Sequence, residues 1–139
     1  MRIQMFNLWK PNEAIVEEQT SPAYTPYLVA YLQEPVTGDI KSRPAILICP
    51  GGGYCFCSSL EAEPIAMQYL ARGYQAFVLY YSIAPSRFPA ALKDAAKSME
   101  IIRNHAEEWK IDPEAVSYTH LVYDSLKKYG IVIKENAHV

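Results

Sequence analysis

The sequence feature that most constrains the fold is an apolar run that ends abruptly in three consecutive glycines. The run Ala45-Ile46-Leu47-Ile48-Cys49 is followed directly by Pro50-Gly51-Gly52-Gly53-Tyr54. Because the run does not alternate apolar and polar side chains, it predicts a strand covered on both faces of a sheet. Three glycines after such a strand let the backbone approach a ligand and turn several N–H groups into one concavity.

A second buried strand is predicted at residues 76–81, with a helix before it over about 59–72. Ser58 and Glu61 have the spacing of a capping box at the start of that helix, and Gly73 suits its end. Strand, helix and strand in this order predict a βαβ unit with a right-handed crossover.

Two more helices are predicted downstream. Apolar residues spaced by three and four predict a long helix over about 89–109, which Asp112-Pro113 is expected to end. A shorter helix is predicted over about 119–129. The remaining predicted strands are residues 1–8, residues 26–33, a strand that begins at Ala115 and a closing strand from Ile131.

This alternation predicts an α/β fold: a mainly parallel sheet flanked by helices, in a single domain over residues 1–139. The 13 basic and 15 acidic side chains give a net charge of −2 without a basic cluster, which argues against a nucleic-acid partner. The absence of an apolar run near ~18 residues argues against a membrane span. Three cysteines without framework spacing, and no signal-like leader, favour the cytoplasm.

The glycine loop admits two chemistries, phosphate binding and oxyanion stabilisation, beside the plainer interpretation of a flexible turn. Phosphate loops need G-x-x-x-x-G-K-[ST] or G-x-G-x-x-G, and neither spacing is present. Oxyanion loops of the HGGG type, which follow a strand in α/β-hydrolases, match better.

The longer pattern around the loop resembles a known family. PAILICPGGGYCFCSS, the downstream IDPEAVS and the preceding SPAYTPYL are similar to the N-terminal half of bacterial acetyl-esterase/lipase-like carboxylesterases, α/β-hydrolases, over about residues 20–117. Residues 118–139 resemble the last helix and strand of that family, so 1–117 and 118–139 together form an abbreviated domain. The resemblance implies a carboxylic ester hydrolase for short acyl groups. Its ligand would be a small ester or anion, with no cofactor or metal.

The resemblance also implies roles for three residues of the loop. Gly52 and Gly53 would donate backbone N–H groups to the oxyanion, and Tyr54 would line the pocket. Pro50 stands where HGGG relatives carry His, which leaves the backbone donors available. A side chain at Gly53 is expected to obstruct the pocket.

The catalytic residues of the family have no counterpart in the sequence. No serine lies between glycines two residues before and two residues after it, so the nucleophile elbow is missing. The stretch that holds the family's acid and the loop that holds its His are also missing. We therefore expect an impaired esterase with no identifiable catalytic residue. The alternative is a non-catalytic remnant that binds a ligand or a partner chain.

Other titratable residues do not assemble a replacement triad. His105 lies on the polar side of its predicted helix, and His138 is next to the C-terminus. His120 and Asp124 are spaced i, i+4, but helical geometry turns Ser125 about 100° away from Asp124.

Cys55 and Cys57 flank the loop, where a thiolate would be nucleophilic, but no His is placed by the sequence to activate them. Packing is the favoured interpretation. C-x-C alone supplies only two metal ligands, so no metal site is predicted.

If the nucleophile-bearing strand is missing, the strands at 45–49 and 76–81 would expose unpaired backbone. Residues 131–137 are then expected to fill the vacant place, or two chains to form a homodimer through the exposed sheet.

Overall fold

A computed structural model describes residues 1–15, 24–34 and 42–119. These residues form five strands, two α-helices and one short 3₁₀ turn at Ser59–Glu61. The strands are β1 (Arg2–Asn7), β2 (Tyr27–Leu32), β3 (Arg43–Ile48), β4 (Gln75–Tyr80) and β5 (Ile111–Tyr118), and the helices are α1 (Glu63–Ala71) and α2 (Ala90–Asn104).

The five strands form one mixed sheet in the order β1-β2-β4-β3-β5. β3 is parallel to both of its neighbours, β4 and β5, whereas β2 is antiparallel to β1 and β4. α1 connects β3 to β4, and α2 connects β4 to β5, so two crossovers surround the parallel strands. The predicted α/β class is confirmed, and the parallel part of the sheet is the part that holds the glycine loop.

β3 and β4 are buried on both faces, which explains their unbroken apolar sequences. Ile46 and Val78 belong to the core cluster that includes residues of α1. Leu47 and Phe77 belong to the cluster that includes residues of α2. No helix among the described residues is long and apolar enough to cross a membrane.

The predicted capping box at Ser58 and Glu61 is wrong. α1 begins at Glu63, after Ala62, and has no side-chain cap. Ser58 is used differently, because its N–H donates to the Gly51 carbonyl at 2.8 Å and ties the segment before α1 to the glycine loop. The predicted end of the helix is confirmed, since Gly73 follows it with a φ of 92°.

The long helix is shorter than predicted, because α2 ends at Asn104 and the chain turns between 105 and 110. This turn carries Trp109 into the core, where its ring lies 5.5 Å from that of Phe77. Asp112-Pro113 does not end the helix but lies within β5. In the described sheet β5 is an edge strand, a place where a proline without an N–H is tolerated.

β5 also corrects the expectation of a missing central strand. It pairs with β3 through Ala45↔Val116 and Leu47↔Tyr118, so β3 has a neighbour on each side. The predicted helix at 119–129 and the strand at 131–137 lie outside the described residues, except for Thr119 at the start of that helix. The homodimer through an exposed sheet stays a prediction.

One buried carboxylate joins three separate parts of the chain. Asp94, on α2, is only 1% exposed. One of its oxygens accepts the indole N–H of Trp9 and the other accepts the backbone N–H of Ser82, both at 2.7 Å. The carboxylate therefore holds the segment after β1 and the loop after β4 against α2.

We expect Asp94→Asn to lower the free energy of unfolding by about 1–3 kcal/mol, because an amide can accept only one of these two N–H groups well and leaves the other unsatisfied. Urea unfolding followed by tryptophan emission measures the change. Glu100→Gln on the exposed side of the same helix is the matched control, with an expected change below about 0.5 kcal/mol. Equal stability of the two variants would contradict this role of Asp94.

Candidate functional site

The glycine loop follows β3 at the edge of the sheet where the parallel strands have their carboxyl ends. Three consecutive residues have positive φ: 149° at Gly52, 63° at Gly53 and 63° at Tyr54. A Cβ at Gly52 would lie 2.0 Å from the Phe56 carbonyl oxygen, so only glycine fits there. A Cβ at Gly53 would meet no atom within 4 Å. The clash with the protein itself therefore falls on Gly52, and the obstruction of a ligand pocket by a side chain at Gly53 stays a prediction.

The hydrogen bonds of the loop use its carbonyl groups and leave its N–H groups available. The carbonyls of Gly51, Gly52 and Tyr54 accept N–H groups at 2.8, 3.1 and 2.7 Å. The N–H groups of Gly52, Gly53 and Tyr54 donate to no acceptor among the described residues. Three adjacent donors that no described residue accepts can bind an anion or the oxygen of a polarised carbonyl.

The start of the loop is fixed from both neighbouring strands. The hydroxyl of Tyr81, just after β4, donates to the Pro50 carbonyl. Thr119, just after β5, accepts the Cys49 N–H on its Oγ1 at 2.9 Å. Burial, reinforced by Cys57, raises the pKa of Tyr81, so its hydroxyl remains a donor at neutral pH.

A cavity of about 310 Å³ lies beside the loop, between the ends of β3 and β4 and the start of α2. Tyr54 lines this cavity, whereas Gly52 and Gly53 do not. The ring of Tyr54 contacts that of Tyr81 edge-on at 5.9 Å between centroids. The other lining residues are Cys49, Leu79, Tyr81, Ser82, Ser86, Arg87, Phe88, Ala90, Ala91, Leu92 and Ala95. The sequence analysis did not predict the wall formed by residues 82–95. The small residues at the start of α2, which leave space beside the sheet, were the sequence feature that could have indicated it.

His105 is the one candidate histidine among the described residues, and it does not contribute to this site. His105 stacks on Trp109 with 4.3 Å between ring centroids, its Nδ1 lies 2.8 Å from the Ile101 carbonyl oxygen, and it does not line the cavity. His120, Asp124, Ser125 and His138 lie outside the described residues.

The cysteines have different environments. Cys55 is exposed, whereas Cys57 and Cys49 are buried. Burial raises the pKa of Cys49 to about 12, so this cavity-lining thiol stays protonated at neutral pH.

Across residues 1–15, 24–34 and 42–119, no cluster of three or more His, Cys, Asp or Glu side chains is arranged to hold a metal ion.

Solved structures similar to this chain include α/β-hydrolases. MGS-M1, an α/β-hydrolase enzyme from a Medee basin deep-sea metagenome library, is 35% identical with a TM-score of 0.71 and covers 86% of this chain. The chain belongs to the α/β-hydrolase superfamily. An acetyl ester-xyloside bifunctional hydrolase from Caldicellulosiruptor lactoaceticus is 31% identical, with a TM-score of 0.70 over 84% of this α/β-hydrolase chain.

A curated relative gives a similar result. The α/β-hydrolase chain is 37% identical to endo-1,4-beta-xylanase B of Butyrivibrio fibrisolvens over 110 residues, 76% of this chain and 16% of the xylanase. It spans 46% of MGS-M1 and 41% of the bifunctional hydrolase, less than half of either. No family model matches the sequence.

Two single substitutions test the loop geometry. We expect Gly52→Ala to destabilise the protein by several kcal/mol more than Gly53→Ala, because a Cβ at 52 collides with backbone and a Cβ at 53 meets open space. The cost at Gly53 is limited to the left-handed conformation, about 1–2 kcal/mol. Urea unfolding of both variants measures the difference, and equal losses would contradict the described loop.

The thiols make a second test. At pH 8 we expect a thiol reagent to label Cys55 quickly and Cys49 and Cys57 only slowly, because burial protects both and keeps Cys49 protonated. Absorbance with a chromogenic disulfide counts the thiols, first in buffer and then in denaturant. Cys55→Ser should remove the fast phase, and a fast phase of three thiols would refute the assignment.

Proposed function

We propose that this chain carries the oxyanion-binding part of a carboxylic ester hydrolase for short acyl esters. The observation that supports the proposal is the set of three adjacent N–H groups at Gly52, Gly53 and Tyr54 that no described acceptor uses. In ester hydrolysis the carbonyl oxygen becomes negatively charged as the tetrahedral intermediate forms. Fixed N–H donors stabilise that charge without reorganisation, and one such donor is worth about 2.7–4 kcal/mol in a serine hydrolase.

The neighbourhood of the donors suits an ester. Tyr54 belongs both to the loop and to the cavity wall, so a carbonyl bound at the loop would have its acyl or alcohol group next to the cavity. The acetyl ester-xyloside hydrolase and the xylanase among the relatives favour acetyl esters as the substrate class.

The nucleophile is the part that this sequence does not supply. It contains no G-x-S-x-G, and His105, which is half-buried, stacks on Trp109 and does not line the cavity. We therefore expect the chain by itself to bind carboxylates and ester carbonyls at the loop, with ester turnover at the background rate.

A second candidate is a non-catalytic module that binds a partner chain or a second copy. The observation that favours it is the apolar surface of β1, where Ile3 is 51% exposed and Met5 is 46% exposed. These residues lie opposite Tyr31 and Val29 in the antiparallel register, so they extend one face of the sheet.

The two candidates are separated by titrating acetate into the ¹⁵N-labelled chain. Acetate stands in for the oxyanion, and we expect weak, saturable shifts of the amides of Gly51–Tyr54. Gly52→Ala should abolish these shifts. Gly73→Ala, which strains a glycine with a φ of 92° at the end of α1, is the control that should retain them.

Turnover is measured in parallel with p-nitrophenyl acetate and a fluorophosphonate probe. Specific labelling of one serine with turnover would show that the chain is a complete esterase. Absence of saturable acetate shifts in the folded protein would refute the oxyanion site. The second candidate would then be favoured if sedimentation shows a dimer and the Met5→Ser substitution dissociates it.

A further inference from the structure

The cavity beside the loop has an apolar floor that the oxyanion chemistry does not use. Leu79 of β4 and Leu92 of α2 line it, and the three alanines at 90, 91 and 95 leave the space between them open. Its volume of about 310 Å³ corresponds to about ten heavy atoms at ~30 Å³ for each water-sized group. An apolar floor of this size suits a short aliphatic chain.

The polar groups of the cavity lie on the loop after β4 and on Tyr54. Ser82, Ser86 and Arg87 line it from that loop, and Ser86 and Arg87 are exposed. Within the part of the chain that the structure describes, Arg87 is the one lining residue with a formal charge and no lining residue is acidic. The cavity therefore combines an apolar floor with a cationic mouth.

Among the described residues, the charge of Arg87 has no ion-pair partner and is open to a ligand. Neither of the two ion pairs seen among the described residues, Lys10–Glu13 and Lys97–Glu100, includes it. Asp94, the acid on the adjoining turn of α2, is buried, and its oxygens are occupied by Trp9 and by the Ser82 N–H.

The geometry points to a binding site for an unbranched aliphatic monocarboxylate of about eight carbons, the length at which chain and carboxylate together fill the ten-atom space. The alkyl chain lies on Leu79 and the alanines of α2, and the carboxylate pairs with Arg87. The site shares the cavity that the proposed function places next to the acyl or alcohol group, and it goes beyond that function because alkyl burial and an arginine at the mouth need neither the loop N–H groups nor an ester.

Sodium octanoate is the probe, titrated into the full chain and followed by calorimetry and by the ¹⁵N amide shifts. We expect saturable binding with shifts at 79 and 90–95. Octylammonium, which has the same tail and the opposite charge, should bind more weakly, and 1-octanol should fall between the two.

Variants separate the charge from the tail. Arg87→Gln should weaken octanoate by up to about fivefold, the range of an exposed ion pair, and leave 1-octanol unchanged. Arg87→Lys should retain most of the affinity. Arg103→Gln at the far end of α2 does not touch the cavity and is the matched control.

Ala91→Leu fills the floor and should reduce octanoate binding at least tenfold. Acetate shifts at 51–54 should persist in this variant, so failure of the octanoate site and failure of the oxyanion site give different results. Arg87→Gln replaces an exposed side chain, which keeps the test valid if Ala91→Leu fails to fold. Absence of saturable octanoate binding, or equal binding of octanoate and octylammonium, would overturn the assignment.

Discussion

The parallel pairing of β3 with strands on both sides is the constraint on which the rest of the structure depends. Because β4 and β5 are both parallel to β3, the chain must return across the sheet twice, which requires the crossovers that contain α1 and α2. The same pairing brings three carboxyl ends to one edge of the sheet. The glycine loop, Tyr81 and Thr119 meet there because each follows one of these strands.

The loop is polarised by its own hydrogen bonds. The carbonyls of Gly51, Gly52 and Tyr54 accept N–H groups from the following turn and from Ala84, whereas the N–H groups of Gly52, Gly53 and Tyr54 have no acceptor among the described residues. A loop with this imbalance attracts negative charge whichever molecule carries it. The positive φ angles at Gly52, Gly53 and Tyr54 produce the imbalance, and Gly52 is the residue at which a side chain cannot be accommodated.

The sequence predicted the strands well because β3 and β4 are buried on both faces and have no polar interruption. It predicted helix boundaries less well, since tertiary contacts decide them: Ser58 bonds to Gly51 rather than capping α1, and Trp109 leaves the helical stripe to enter the core. The resemblance predicted that Tyr54 lines the substrate pocket; Tyr54 lines the cavity beside the loop, and its contact with a substrate stays a prediction. The opposite wall, with Arg87, was not predicted because it depends on how α2 packs on the sheet.

The carboxylate of Asp94 links the segment after β1 to the wall of the cavity. Trp9 and Ser82 each donate to a different oxygen of the Asp94 side chain, so the segment after β1 and a residue of the cavity wall depend on the same carboxylate. The indole of Trp9 is half-exposed and its position is set by that same carboxylate. The fluorescence of Trp9 is therefore sensitive to the position of the cavity wall. Trp9 follows β1, which lies at the opposite edge of the described sheet from β5.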